Sequence, residues 1–461
     1  MLFHSQAFLL LFLPPVLVGF YLLSGRVRLW WLLAASFAFY GYWDIRLLPL
    51  LAGSIAVNWA LAAMWGRIGA TERGASAPIV AGVAMNLLLL GVFKYADFIA
   101  GSAAYAGGWA HDPWNIVLPL GISFFTFQQL SYLIDLRRGQ APVYGFRDYA
   151  LYVAFFPQLI AGPIVRHNEL VSQFGRDPWR DGTAERLSRG ALLLTFGLAK
   201  KVFVADRLAR VADPLFQAAA GGLSFAESWV AAAAFGLQIY FDFSAYSDMA
   251  IGLALMFGFA LPENFRSPYR AVSLRDFWQR WHMTLSRFLR DYLYVPLGGS
   301  RHGVVRTAVA LMATMLLGGL WHGAAWTFVL WGALHGLGLV VVHLWQRAGF
   351  RLPWMLGWVL TVTFVTAAWV PFRAHTLSDA GGMMAAMAGF DGADFAVRDL
   401  DKPWIIPVAA ALALLAPRAH ALALEWVGPR PLLAAAAGAL VVLVLLQVGV
   451  GQNQEFIYFQ F

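Results

Sequence analysis

Apolar positions along the chain gather into blocks, parted by short stretches where the charged residues concentrate. They run over residues 8–23, 29–42, 47–65, 78–92, 116–134, 149–161, 187–203, 229–261, 304–320, 324–345, 354–372, 404–415 and 432–448. A helix needs about 20 apolar residues to cross a bilayer, so the longer blocks read as spans and the shorter ones as partial crossings. This pattern predicts an all-α polytopic bundle of about 11 or 12 membrane helices, with re-entrant or interfacial helices among them. The first block has no basic residue before it and no small-x-small site after it, and is expected to stay as an uncleaved span. No internal repeat, low-complexity tract or linker divides the sequence, so one membrane-embedded domain over residues 1–461 is expected.

One stretch, residues 273–295, is less apolar and is patterned differently. Trp278, Trp281, Leu285, Leu289 and Tyr292 follow helical spacing on one side, while Arg280, Arg287 and Arg290 fall elsewhere on the wheel. An amphipathic helix lying in the interface or half sunk into the bundle is expected, ended by Pro296, Gly298 and Gly299.

Composition supports the membrane reading. Hydrophobic residues make up 60% of the chain and charged residues 13%, about half the roughly 25% of a soluble protein. An ordinary water-soluble enzyme is excluded. The load of 20 Trp, 15 Tyr and 36 Phe suits aromatic belts at two membrane interfaces and large side chains filling a bundle. With no Cys, disulfides, thiolate metal sites and a Cys nucleophile are all ruled out.

The net charge of +8 reports loop topology here, since no Lys/Arg stripe interleaved with stacking aromatics sits in a soluble segment; no nucleic-acid partner is expected. Eight Arg (266, 270, 275, 280, 287, 290, 301, 306) stand between Glu263 and Arg306 against only Glu263, Asp276 and Asp291. By the positive-inside rule this segment faces the cytoplasm, and residues 166–210 are the other basic candidate. The acidic stretch 391–402 is expected outside.

Polar residues inside apolar blocks are costly in a bilayer and therefore informative. Lys94 and Asp97, at the end of a block, read as a snorkelling pair at the interface. Gln238, Tyr240, Asp242, Ser244, Tyr246 and Asp248 lie near the middle of the block 229–261. Gln238 with Asp242 and Ser244 with Asp248 are i,i+4 pairs that make two polar ridges. These serve either hydrogen bonding between helices or the lining of a substrate tunnel.

The strongest single feature is Gly318-Gly319-Leu320-Trp321-His322-Gly323, an imidazole among glycines within apolar surroundings. Glycine allows another backbone or an extended substrate to approach, and a break between two helices is expected at this point. His322 is then either a hydrogen-bonded structural residue or a base on a cavity, and His282 in Arg280-Trp281-His282 is its natural companion. Gly319/Gly323 and Gly332/Gly336 are also small-xxx-small helix-packing pairs. His335, 13 residues after His322, falls on the opposite side of an ideal wheel and is a weaker candidate. No Gly-x-Ser-x-Gly elbow, P-loop, His-Glu-x-x-His or His pair at metal-ligand spacing occurs, so no metal site is expected. Histidine is left as the acid/base group, able to take a proton from a hydroxyl at neutral pH; acyl transfer to an alcohol is the chemistry this permits.

Motifs spread along nearly the whole chain carry a family likeness. They include Phe93-Lys94-Tyr95, Pro119-Leu120-Gly121-Ile122-Ser123-Phe124, residues 156–164 from Phe156-Pro157-Gln158 to Gly162-Pro163-Ile164, and Tyr240-Phe241-Asp242-Phe243-Ser244. More specific are Phe277-Trp278 with Trp281-His282, Arg290-Asp291-Tyr292-Leu293-Tyr294, Pro296-Leu297-Gly298-Gly299, Gly319-Leu320-Trp321-His322-Gly323 and the terminal residues 456–461. In this joint order they resemble the membrane-bound O-acyltransferases of the bacterial alginate O-acetyltransferase type. One departure is Ala245 where Gly is expected, a difference of a methyl group.

The resemblance implies a helix bundle pierced by a tunnel, in the bacterial inner membrane, with no tightly bound cofactor. It implies acetyl-CoA as the cytoplasmic donor, an extracytoplasmic polysaccharide as acceptor, membrane lipids around the bundle, and a periplasmic SGNH-hydrolase-like acetyltransferase as the partner that finishes the transfer. It implies His322 as the catalytic residue with His282 near it. Trp321, Arg290, Asp291, Tyr292, Asp242 and Ser244 are expected at the substrate. Alternatives are D-alanyl transfer to a cell-wall polymer, and a transporter or a scaffold without catalysis; a transporter is expected to show inverted repeats, which this sequence lacks.

Overall fold

The computed structural model describes residues 1–68, 76–390, 392–426, 431–448 and 455–457. Asp391 of the acidic stretch and residues 458–461 of the terminal motif lie outside them. Every regular element among the described residues is a helix. Among the described residues, five helices are long and apolar enough to cross a membrane by themselves: Ile45–Ile68, Ala77–Gly107, Val304–His322, Trp326–Arg347 and Trp354–Arg373. A sixth candidate is a pair bent by 57°, Ile405–Leu415 with Ala419–Trp426. Other blocks become shorter or more polar helices. Ile122–Arg137 carries Gln128, Gln129 and Asp135, and residues 149–161 break at Phe155 into Phe146–Ala154 and Phe156–Leu159, where Pro157 sits in the first turn of the second piece.

The chain folds as two compact units, each assembled from separate segments: residues 1–195, 246–262 and 429–452 form one, and residues 196–245, 263–428 and 453–461 the other. In the first unit, burial of polar side chains is compensated pairwise. Asn86 Nδ2 donates to Asn58 Oδ1 at 2.7 Å between fully buried residues, and Gln129 Nε2 donates to Ser54 Oγ at 2.9 Å. A bare amide in an apolar bundle costs several kcal/mol, so such pairs fix which helix faces meet. Helix Thr183–Ala199 approaches the last turns of Phe225–Met256 through glycine: a Cβ on Gly190 would stand 2.6 Å from the Gly252 carbonyl oxygen.

In the second unit, Val304–His322 and Trp326–Arg347 form a hairpin joined by Gly323, Ala324 and Ala325. The expected helix break is there, immediately after His322. Backbones meet at glycine along this hairpin: a Cβ on Gly319 would collide with the Phe328 carbonyl oxygen, and one on Gly332 with the Met315 carbonyl oxygen. A Cβ on Gly323 would enter the Phe328 ring. The glycines around His322 therefore serve helix packing.

The expected single helix over 273–295 is three pieces, Leu274–Trp278, Met283–Leu289 and the π-helical turn Arg290–Tyr294. Its apolar face was read correctly, since Trp278, Trp281, Leu285, Leu289 and Tyr292 are all buried. The interruption comes at His282, which adopts a left-handed backbone (φ 43°, ψ 54°). That conformation ends a helix, and histidine is among the few residues that adopt it with some frequency. It is held by two backbone hydrogen bonds from a neighbouring strand-like segment, Met283 N to Asn264 O (2.9 Å) and Arg266 N to Arg280 O (2.8 Å).

Candidate active site

His322 is the last residue of Val304–His322 and His282 the N-terminal cap of the short helix Met283–Leu289, so both stand where regular structure stops. Both are buried, His282 completely. Trp321 is common to their surroundings, its ring centroid 4.9 Å from that of His322 and 6.1 Å from that of His282. Trp331 and Phe372 approach His322 edge-on at 5.1 and 5.2 Å, and Phe243 approaches His282 at 4.7 Å. An aromatic wall of this kind excludes water and strengthens whatever hydrogen bonds form inside it.

The polar contacts of His282 are on one side only. Its Nδ1 lies 3.1 Å from Asn264 Oδ1, an oxygen that also accepts from Thr284 N (3.2 Å) and Thr284 Oγ1 (2.9 Å). Nε2 is buried and meets no partner among the described residues. Burial holds the His282 pKa well below the ordinary histidine value, so the ring is neutral.

His335 belongs to the same aromatic cluster. Its centroid is 4.7 Å from that of Trp331, which in turn is 5.1 Å from His322, and its Nδ1 accepts from Trp278 Nε1 at 3.3 Å. Wheel geometry set it opposite His322, but that rule applies within one helix. The turn at Gly323 folds the second helix back against the first.

The remaining site candidates have other engagements. Asp242 is paired with Lys201 Nζ at 2.8 Å and accepts from the Ile457 backbone N–H at 2.8 Å. Lys201 also reaches Asp206 (2.9 Å) and the Glu455 carbonyl oxygen (3.3 Å). Ser244 Oγ accepts from Lys200 Nζ at 2.9 Å. Arg290 and Asp291 pair with each other at 2.7 Å, with the arginine side chain 61% exposed, and the Tyr292 ring packs tilted against Phe288, centroids 4.8 Å apart. His282, His322 and Trp321 are thus brought together, while Asp242 and Ser244 are tied by lysines from the segment 200–201. In the Arg-rich segment, Glu263, Asp276 and Asp291 each take an arginine (Arg266, Arg280 and Arg290), and Arg275, Arg301 and Arg306 are exposed. No group of three or more His, Asp or Glu able to hold a metal occurs among the described residues.

Asn264 was not singled out by sequence. An amide three residues after the long apolar block carries no charge and no motif, and only its position against His282 reveals it.

This histidine cluster falls inside the part of the chain, residues 122–374, that matches the model of the membrane-bound O-acyltransferase family. The chain belongs to that family. A peptidoglycan O-acetyltransferase of Helicobacter pylori is 39% identical over 428 residues, covering 85% of this chain and 80% of its own. A probable alginate O-acetylase of Azotobacter vinelandii is 43% identical over 422 residues, covering 90% and 83%. A teichoic acid D-alanyltransferase of Streptococcus thermophilus is more distant, 29% identical over 238 residues, covering 50% and 57%. As a membrane-bound O-acyltransferase, the protein is a multi-pass membrane acyltransferase of all-helical fold.

Proposed function

We propose that this membrane-bound O-acyltransferase is an inner-membrane O-acetyltransferase, which takes an acetyl group from acetyl-CoA on the cytoplasmic side and delivers it to an extracytoplasmic polysaccharide through a periplasmic partner. The observation that carries this reading is the pair His282 and His322, buried around one indole at the ends of two helices. Relatives named for O-acetylation of peptidoglycan and alginate support a polysaccharide acceptor. Acetyl is favoured over D-alanyl because those relatives match at 39% and 43% over most of the chain, whereas the D-alanyl relative matches half of it at 29%. Exposed Arg275, Arg301 and Arg306 suit the phosphates of a CoA thioester.

In the proposed step the accepting hydroxyl loses its proton to a histidine nitrogen as its oxygen forms the bond to the thioester carbonyl carbon. The C–S bond then breaks, and the histidine returns the proton to the leaving thiolate. His322 is the proposed base, and one positioned base contributes roughly 100- to 10,000-fold to a rate.

The test is ester-linked acetate on envelope and secreted polysaccharide in cells lacking the protein, complemented with wild type or His322→Ala at matched membrane levels. Acetate restored by wild type alone supports transfer through His322. Restoration by both overturns it in favour of a scaffold or conduit, and restoration by neither overturns the choice of acyl group or polymer.

A further inference from the structure

We infer that Asn264 is a positioning residue that locks His282 in the Nδ1–H tautomer, so that His282 presents Nε2 to the reacting groups as a bare lone pair. His282 then presents only a hydrogen-bond acceptor to the reacting groups, positioning them beside the base His322, and cannot donate a hydrogen bond from Nε2 to the thioester oxygen. This inference rests on the acyl-transfer reading above and deepens it.

The assignment follows from which atoms can only donate. The Thr284 backbone N–H points at the Asn264 side-chain oxygen at 3.2 Å, and a backbone N–H has no lone pair to offer. The Asn264 atom facing it is therefore the acceptor Oδ1, which removes the usual ambiguity between the two ends of an amide. His282 Nδ1 lies 3.1 Å from that same oxygen. Two acceptors at this distance would repel, so Nδ1 carries the hydrogen. A neutral imidazole has one N–H, and Nε2 is then the bare nitrogen. Its burial without a partner among the described residues marks it as the atom left for a ligand.

Asn264 also fixes the direction of the ring. Its backbone oxygen accepts from Met283 N at 2.9 Å and its side chain accepts from Thr284 N and Oγ1, so the two residues that follow the left-handed His282 backbone are clamped by one asparagine. The rings found against His282 are Phe243, Phe265 and Trp321, which hold its plane. An imidazole oriented by a second residue through its far nitrogen presents its other nitrogen to the reacting groups in a fixed direction.

The experiment uses the full-length protein purified in nanodiscs with 15N-histidine, the His282 signals being assigned by their loss in His282→Gln. Wild type is expected to show a bare Nε2 and a protonated Nδ1, and Asn264→Leu a mixed population. The opposite tautomer in wild type overturns the inference. In acetyl transfer from acetyl-CoA, Asn264→Leu is expected to lower kcat roughly 10- to 100-fold, as misplacement of a positioning group does, with KM for acetyl-CoA little changed. Asn264→Asp, whose carboxylate accepts the same three hydrogen bonds, is expected to recover most of the rate. Full activity of Asn264→Leu beside a dead His322→Ala overturns the role of Asn264 alone, full activity of His322→Ala overturns His322 as the base, and no acetyl transfer by folded wild type overturns the acyl-transfer reading itself. Should Asn264→Leu fail to accumulate, the wild-type spectrum and the Asp variant decide.

Discussion

Arg398 grips Glu227 with three hydrogen bonds, its backbone N–H to Oε1 at 3.1 Å and its guanidinium to Oε1 and Oε2 at 2.6 and 3.0 Å. With Ala226 N donating to Asp394 O and Ser224 Oγ to Ala396 O, it fastens residues 394–398, within the stretch expected outside the membrane, to the start of the helix Phe225–Met256. Side-chain hydrogen bonds from Arg398 pull the Glu227 pKa down to about 2. A carboxylate depressed in the folded state stabilises above its unfolded pKa, near 4.3, and loses that contribution as pH falls through about 2. The hydrogen-exchange protection factors of residues 394–398, corrected for the intrinsic pH dependence of amide exchange, are therefore expected to stay constant between about pH 5 and 8 and to fall only in acid, and Glu227→Gln is expected to lower them at neutral pH. The pair is partly exposed, so the effect is on the order of 1 kcal/mol.

Lys201 and Asp242 give a sharper contrast. Both are buried, and removing one partner of a buried ion pair leaves the other charge uncompensated, at about 3 to 5 kcal/mol. Lys201→Met is expected to cut the folded yield in detergent and the melting temperature, and Lys201→Met with Asp242→Asn to recover much of both. If acetyl transfer also returns in the double variant, the carboxylate of Asp242 anchors the fold. If the double variant folds and stays inactive, Asp242 or Lys201 meets substrate.

Gly319→Ala and Gly332→Ala each place a methyl group on an opposing carbonyl in the hairpin 304–347. Overpacking of this sort costs about 1 to 3 kcal/mol. Thermal unfolding in detergent is expected at lower temperature for both, while Gly381→Ala, where nothing lies within 4 Å, serves as the unaffected control.

His322 and His335 both pack against Trp331, with ring centroids 5.1 and 4.7 Å from it, and the proposed chemistry assigns them unequal roles. His335→Gln is expected to keep an acceptor for Trp278 and to retain transfer within a few-fold. His322→Gln is expected to lose it while remaining folded by the same melting assay. Comparable losses in both would mean that the cluster is needed as packing and would remove the case for His322 as base.

Local pattern in the sequence determined the class of the protein. Apolar blocks of spanning length dictate a helix bundle because a backbone in lipid has to satisfy its own hydrogen bonds, and the charge imbalance marks the segment 263–306. The buried face of residues 273–295 was legible from spacing alone, as was the helix break at His322. What the pattern left undecided are pairings between distant positions. Asn264 meets His282 across 18 residues, Trp278 meets His335 across 57, and Ile457 meets Asp242 across 215. Hydrophobic periodicity reports which side of a helix is buried and nothing about what it is buried against. The break at His282, the return of His335 to the cluster and the binding of Asp242 by Lys201 were decided by tertiary packing, because in each case the energy lies in satisfying a buried polar group from another part of the chain.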